Sequence, residues 1–473
     1  MDPYPELALA AISIIFLILV LYVNNKKKSN SEDDYLLAGR ATRLIPLIAT
    51  LVMTEFNTAT LISFSSLGYA FGKSALFMPL VFLIGLLFYT LIASKKWKKF
   101  NGISVAHFFA ERYGRSLELF VALILFLTML GFTSAYLKSL TLLFSPLFTI
   151  EAKWISLLLL ITILFLTARG GLKSIIRLDL ISFCLVIVSL PILLYFTYKL
   201  PDLTIPHVLK PIMNINHVLP AKFIISLIFI TMFSYILAPW YGQKIVSAKN
   251  ESIAYTATGC AAIIIFILYE IGIYANIILK SKGVILNDNQ LGIPYLIYHA
   301  LPYQLFIIYY IMIFLIAAST MTGLWSAMVT LMVGSILKFK AHNAKNSFYW
   351  MIGCGIMSYI VAITYIDNIL NKMILFNIPI VAMSFALLAG FYWKRATLLG
   401  AWMSILVGTI WGFGCYVVIG ESGIYTWSWA MYGIPLIFIS GVIFSFLPSR
   451  IVMAKFRSLN LGSHALTNSE NIS

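Results

Sequence analysis

An all-α integral membrane protein with about thirteen transmembrane helices is the fold class this sequence predicts, on three observations. Of its 473 residues 61% are hydrophobic and 11% charged, whereas soluble domains carry about a quarter charged residues; mean hydropathy is +0.94. Apolar runs long enough to cross a hydrocarbon layer of about 30 Å recur from end to end, without the short polar–apolar alternation of a membrane β-barrel. Two of those runs carry a polar interruption at mid-length, and one interruption holds a carboxylate, Glu55.

Taken in order, the spans fall near 6–23, 45–70, 74–94, 119–137, 154–168, 180–198, 223–241, 254–279, 304–337, 347–366, 373–393, 398–419 and 427–447. The longer polar stretches, 24–43, 95–118, 199–222, 280–304 and the Ser- and Asn-rich tail 448–473, separate or end them. Within 95–118 the piece from Ile103 to Gly114 has an amphipathic pattern and predicts a short interfacial helix stopping at Gly114. The span at 45–70 is divided by the island Thr54-Glu-Phe-Asn-Thr58, and that at 223–241 by Ser234-Tyr235 and then Pro239. Proline removes a backbone donor, which is tolerable at membrane depth where protein or water satisfies the freed groups. Interrupted spans at corresponding places in two halves point to a midplane site. The expected units are therefore an N-terminal helix and loop (1–44), five-helix repeats at 45–198 and 199–393 with opposite topology, two further helices (394–447) and the tail (448–473).

The net charge of +16 is not a nucleic-acid signal, because its distribution follows the loops. With the N-terminus outside, the clusters Lys26–Lys28, Lys95–Lys99, Arg169–Arg177, Lys338–Lys345, Lys394–Arg395 and Arg450–Arg457 all fall on the inner side. Scattered single lysines such as Lys73, Lys138 and Lys222 fall outside. The positive-inside rule then sets the C-terminus in the cytoplasm of a multi-pass plasma-membrane protein. Asp2 and Glu6 fit an outer end and differ from the basic start of a cleavable leader. Cys184, Cys260, Cys354 and Cys415 lie in apolar spans without metal-ligand spacing, and no histidine sits mid-span, so a membrane metalloenzyme is poorly supported and no catalytic residue is expected.

Glu55 is the most informative residue. It lies roughly 15 Å along a helix from Ile45, with no other charge between Ile45 and Ala70. An ionised group at that depth costs at least about 2.5 kcal/mol on insertion scales, so it faces a partner or a wet cavity; the alternative is a protonated, hydrogen-bonded structural Glu. Glu270 is the other acidic residue well inside a span, read as bonded to a polar neighbour. Tyr235, Trp240 and Tyr241 are read as cavity lining or gates. No Arg or Lys is read at mid-span, which favours a zwitterion or polyol over a dianion as solute.

Several motifs, in order, resemble the sodium:solute symporter family. The segment Asp34–Arg40 is similar to that leading into the family's first core helix, and Thr58–Gly72 to that helix and its exit. Thr167–Asp179 resembles its Gly-Gly loop leading to an aspartate, and Gln243–Asn250 the loop after the sixth core helix. Ala317–Thr322 resembles the eighth core helix, and Ala389–Ala401 the exit of the tenth. The resemblance covers about residues 34–401. It implies the five-plus-five inverted repeat of the leucine-transporter type and alternating access driven by sodium. By the same resemblance sodium is bound by Ser319 and Thr320 hydroxyls and by main-chain carbonyls of Met53 and Phe56, a hard-oxygen set, with Glu55 as a charged partner and Asp179 on the ion path. Thr58, Thr231, Ser234 and Tyr235 are expected to bind solute. The chain departs from the family pattern at Ser63, Ser65, Ser182 and Gly334–Lys338, which leaves the solute open.

The expected function is sodium-coupled symport into the cell of a small organic solute (amino acid, sugar or polyol), with Na+ as coupling ion, the lipid bilayer as surroundings and no nucleic-acid partner. Alternatives are a proton-coupled transporter of the same fold, since burial favours a neutral carboxyl at position 55, or a membrane sensor built on it.

Overall fold

A computed structural model describes residues 38–100, 104–167, 171–203, 218–337 and 344–447. The expected first span (6–23), the tail and part of the Asp34–Arg40 and Thr167–Asp179 motifs lie outside them. Every described element of length is a helix: α1 (Leu44–Glu55), α2 (Thr58–Phe71), α3 (Leu80–Ile92), α4 (Ser94–Lys99), α5 (His107–Tyr113), α6 (Arg115–Phe144), α7 (Ala152–Thr167) and α8 (Gly171–Lys199), followed by α9 (Ala221–Tyr235), α10 (Pro239–Val246), α11 (Glu251–Ser281), α12 (Gly292–His299), α13 (Tyr303–Leu331), α14 (Ala344–Thr364), α15 (Ile369–Ala382), α16 (Ser384–Tyr392) and α17 (Leu398–Ile419). The last, α18 (Tyr425–Phe446), closes the described chain. Among the described residues seven helices are long and apolar enough to cross a membrane, or up to nine if each of two bent pairs is one span; α3 and parts of α7 and α14 are shorter apolar helices. Each span expected between 45 and 447 coincides with one of these.

The bent pairs are α1/α2, at 59°, and α9/α10, at 50°. The first breaks because Phe56 (φ −76°, ψ 85°) leaves the helix and Asn57 restarts it as an N-cap, its side chain accepting the Thr60 N–H at 2.8 Å. The second breaks at Ala238 (φ −55°, ψ 108°), after which Pro239 opens α10 at a position where its missing N–H is harmless. Carbonyls freed by both breaks are bonded by side chains, remote ones and that of Asn57 at the first break itself. The Tyr269 hydroxyl and Asn57 Nδ2 donate to Glu55 O at 2.5 and 2.9 Å, and Trp97 Nε1 donates to Ile236 O at 2.8 Å. That satisfies the demand a low-dielectric surrounding makes on irregular backbone.

The bent pairs are held in a shell of long helices. α11 packs along α1, α2 and α3; α8 lies against α1 and α13; and α6 contacts α13, α14 and α15. α2 and α11 approach so closely that a Cβ on Gly68 would lie 2.6 Å from Ile273 O, the small-residue contact on which membrane helices rely. α17 and α18 pack on each other and against α15, exposing Val417, Val418 and Ile443. α1 starts where α10 ends. Thr42 N donates to Ser247 O and Lys249 N to Thr42 O, both at 2.9 Å, and the Thr42 and Ser247 hydroxyls lie 3.0 Å apart. The interfacial helix expected before Gly114 is α5, which ends at that glycine with φ +100°.

Candidate functional site

Because α1 and α10 share one end of the bundle, the two breaks meet at its centre. There the Glu55 carboxylate, 3% exposed, accepts hydrogen bonds from the Tyr235 hydroxyl and from Trp240 Nε1, the latter at 3.2 Å. It faces a cavity whose empty volume, mouth included, is about 700 Å³. Rings form its walls: Phe64, Phe82, Phe132, Tyr136, Tyr235 and Trp240. They brace one another, with Phe132 edge-on to Trp240 at 5.3 Å and Phe82 edge-on to Tyr235 at 6.0 Å. Asn57, Thr60, Ser63, Thr231 and Asn377 supply polar lining, and Ser63 Oγ is buried without a hydrogen-bond partner. A second, more polar cavity shares Ser63 and Leu370 with the first and is bordered by Asp288, Asn289, Gln290, Asn368 and Asn371. The second cavity adjoins the central one on its Asn289 side, whereas at the other end α1 and α10 are bonded together through Thr42 and Ser247.

Of the residues expected to bind solute, Thr231 and Tyr235 line the cavity. Thr58 and Ser234 do not. The Thr58 hydroxyl sits 2.7 Å from that of Ser139 on α6, and Ser234 Oγ turns back to its own helix at Thr231 O, 3.3 Å away. Serine and threonine commonly satisfy themselves on helix carbonyls in this way. Tyr241 is fully buried and packs edge-on against Tyr89 and Tyr235, behind the lining. Trp240, read as lining or gate, borders the cavity with Tyr235; Thr60, the lining role of Asn57 and the walls Phe64, Phe82, Phe132 and Tyr136 are not singled out by the sequence, and the N-cap position of Asn57 after a mid-span break is the signal that finds it. Glu270 is half-buried on α11.

The expected sodium ligands lie where α1 ends against α13. Thr320 Oγ1 donates to Met53 O at 3.0 Å and to Ile316 O at 2.8 Å, and Ser319 Oγ to Ile316 O at 3.1 Å. Met53, Phe56, Ser319 and Thr320 are all buried. Of the expected ligands, the Thr320 hydroxyl and the Met53 carbonyl are thus brought together across α1 and α13, whereas the Ser319 hydroxyl bonds its own helix. No cluster of three or more His, Cys, Asp or Glu occurs among the described residues. Glu55 lines the aromatic cavity, whose lining includes none of Met53, Phe56, Ser319 and Thr320.

One reading needs correction. Lys244, expected in a loop, is 2% exposed on α10. Its ammonium donates to Asp179 Oδ2 at 2.9 Å, to Thr50 O at 3.1 Å and to the Thr54 hydroxyl, while the Thr50 hydroxyl donates to the same Asp179 oxygen. Asp179 is fully buried, so the ion-path candidate is one half of a buried salt bridge tying α1, α8 and α10. The signal was available: Asn250 caps α11 through its bond to Ile253 N, which shortens the loop and leaves Lys244 inside a helix begun at Pro239.

No family model matches the chain. A stretch of 121 residues, 26% of this chain, is 22% identical to an uncharacterized symporter, YidK, of Escherichia coli (strain K12), and spans 21% of that relative's length. Among solved structures, a Na+-coupled sialic acid symporter in a substrate-bound outward-open state covers 94% of this chain and 98% of its own, with a TM-score of 0.75 at 16% identity. Mhp1, a nucleobase-cation-symport-1 family transporter, covers 87% and 95%, with a TM-score of 0.55 at 13% identity. A manganese transporter of Eremococcus coleocola reaches 0.52 over 89% of this chain and 98% of its own, at 14% identity. The chain shares the leucine-transporter-type fold of these proteins.

Proposed function

We propose that this chain is a secondary active transporter of a multi-pass cell membrane, coupling sodium entry to symport of a small organic solute by alternating access. One observation carries the reading. Two broken spans meet at a buried, carboxylate-bearing cavity beside a separate carbonyl–hydroxyl set, which is the arrangement midplane transport sites require. The cavity would take the solute, and Met53, Phe56, Ser319 and Thr320 the ion. The adjoining cavity on the Asn289 side, with α1 and α10 bonded together at the Thr42–Ser247 end, supports reading the arrangement as a state open on one side. With the N-terminus outside, as loop charge favours, that open side is extracellular. The named symporters of like fold support the same reading at the level of mechanism class.

The test is uptake by proteoliposomes from a panel of labelled metabolites, under a sodium gradient at fixed pH and under a proton gradient without sodium. Replacing Ser319 and Thr320 together by Ala should weaken apparent sodium affinity at least about tenfold, or 1.4 kcal/mol. Unchanged sodium dependence in the folded double variant would remove the ion site from these residues. Proton-driven, sodium-independent uptake lost in Glu55→Gln would support the second reading, proton coupling, which the central position of a titratable carboxyl favours.

A further inference from the structure

The Glu55 carboxylate lies in a wall of rings, and its two hydrogen-bond donors, Tyr235 and Trp240, are neutral. Each carboxylate oxygen accepts up to two hydrogen bonds, so one position on each oxygen is left for a ligand. Lys244 attracts this charge through space, from outside the cavity lining and without a hydrogen bond to it. None of the residues lining the cavity is Lys, Arg or His, and Lys244, the buried cation of α10, is bonded to Asp179. A buried carboxylate without a directly bonded cation is costly, and a cation bound against it offsets that cost.

Two cations could serve, sodium or a positively charged solute, and the surroundings choose between them. Sodium requires a shell of hard oxygens; those of Met53, Ser319 and Thr320 are not in the cavity lining, and the lining's own Asn57, Thr60, Ser63, Thr231 and Asn377 share a wall that is mostly apolar and aromatic. Tyr235 and Trp240 bond Glu55 directly, and Phe132, Phe82, Phe64 and Tyr136 share the lining with it. Aromatic faces attract an organic ammonium, whose diffuse charge and attached CH groups gain from rings and from desolvation. Ser63 Oγ and Asn377 on the far lining can bond a hydroxyl or similar polar end.

Building on the transporter reading, we propose that the transported solute carries a positively charged nitrogen, held against Glu55 within the aromatic walls, and that Glu55 selects for this charge. The solute class is thus a small organic ammonium compound with a short polar arm. Glu55 then belongs to the solute site and leaves the sodium set to Met53, Phe56, Ser319 and Thr320.

Calorimetric binding to the full chain in detergent micelles tests this with ligands matched in shape and differing in charge. Choline is paired with 3,3-dimethylbutan-1-ol for a quaternary nitrogen, and ethanolamine with propan-1-ol for a protonated one. At least one charged member should bind tenfold or more tightly than its neutral partner, and Glu55→Gln should abolish that preference. Neutral members binding as well as charged ones, or galactose binding while both ammonium compounds fail, would overturn the assignment. So would a preference that survives Glu55→Gln. The wild-type comparison decides even if the variant does not fold. Titrations run in sodium and in potassium chloride keep the two readings apart. An ammonium preference that holds while the ammonium compound binds with equal affinity in both salts supports this assignment while counting against sodium coupling.

Discussion

Lys244 and Asp179 set the first expectation at the scale of single residues. Removing one member of a buried ion pair strands the other charge and costs about 3–5 kcal/mol, whereas removing both with side chains of similar volume is often close to neutral. Lys244→Met should therefore lower the unfolding temperature of the detergent-solubilised protein markedly, and Lys244→Met combined with Asp179→Asn should recover most of the loss. A single variant as stable as wild type would mean that the pair does not bind α1, α8 and α10 together. The contrast with Glu55 explains what could be read in advance. Glu55 stands out in the sequence because nothing else between Ile45 and Ala70 is charged. Lys244 follows Pro239-Trp-Tyr-Gly-Gln, where hydropathy has already fallen and the chain reads as a loop. Its burial depends on Asp179, which lies 65 positions away, and a pairing of that range leaves no trace in local composition.

At the scale of elements, the polar island at Thr54–Thr58 and the proline at 239 located both breaks. The direction in which hydroxyls point around them was not legible, because a threonine and a serine three residues apart share a helix face closely enough for either to be read as lining. The structure separates them: Thr231 borders the cavity, whereas Ser234 turns to its own helix. Cys at position 231 should accordingly react with a water-soluble thiol reagent applied from the Asn289 side and be protected by a transported solute. Cys at position 234 should react far more slowly. Equal labelling of the two, or fast labelling confined to position 234, would show that α9 is rotated from the described arrangement. The aromatic walls were missed for a related reason. Phe64, Phe82 and Phe132 sit on three different spans, and phenylalanine is so frequent in membrane helices that only their convergence marks them.

For the whole molecule, alternating access requires the end that is sealed here to open during each cycle. A transporter changes which side reaches its site by shifting between two states, and anything that binds one of them more tightly biases the equilibrium. The closure includes the backbone bonds of Thr42 with Ser247 and Lys249 and the two hydroxyls 3.0 Å apart, beside the buried Lys244–Asp179 pair and the Lys98 bond to Val246 O. The hydroxyl spacing places the side chains of residues 42 and 247 close enough for a disulfide. In Thr42→Cys with Ser247→Cys, oxidation should hold the start of α1 against the end of α10 and stop uptake by proteoliposomes. Solute should still reach the cavity from the Asn289 end, so equilibrium binding should stay within about twofold of the reduced protein, and a reductant should restore transport. Uptake that continues at the reduced rate with the cross-link fully formed would mean that these two helix ends never part, and that the second state opens elsewhere in the bundle. Loss of binding together with uptake would instead show that the cavity and the seal are not independent. The expected split, binding kept and transport lost, follows only if the described arrangement is one of two states that exchange around a central site.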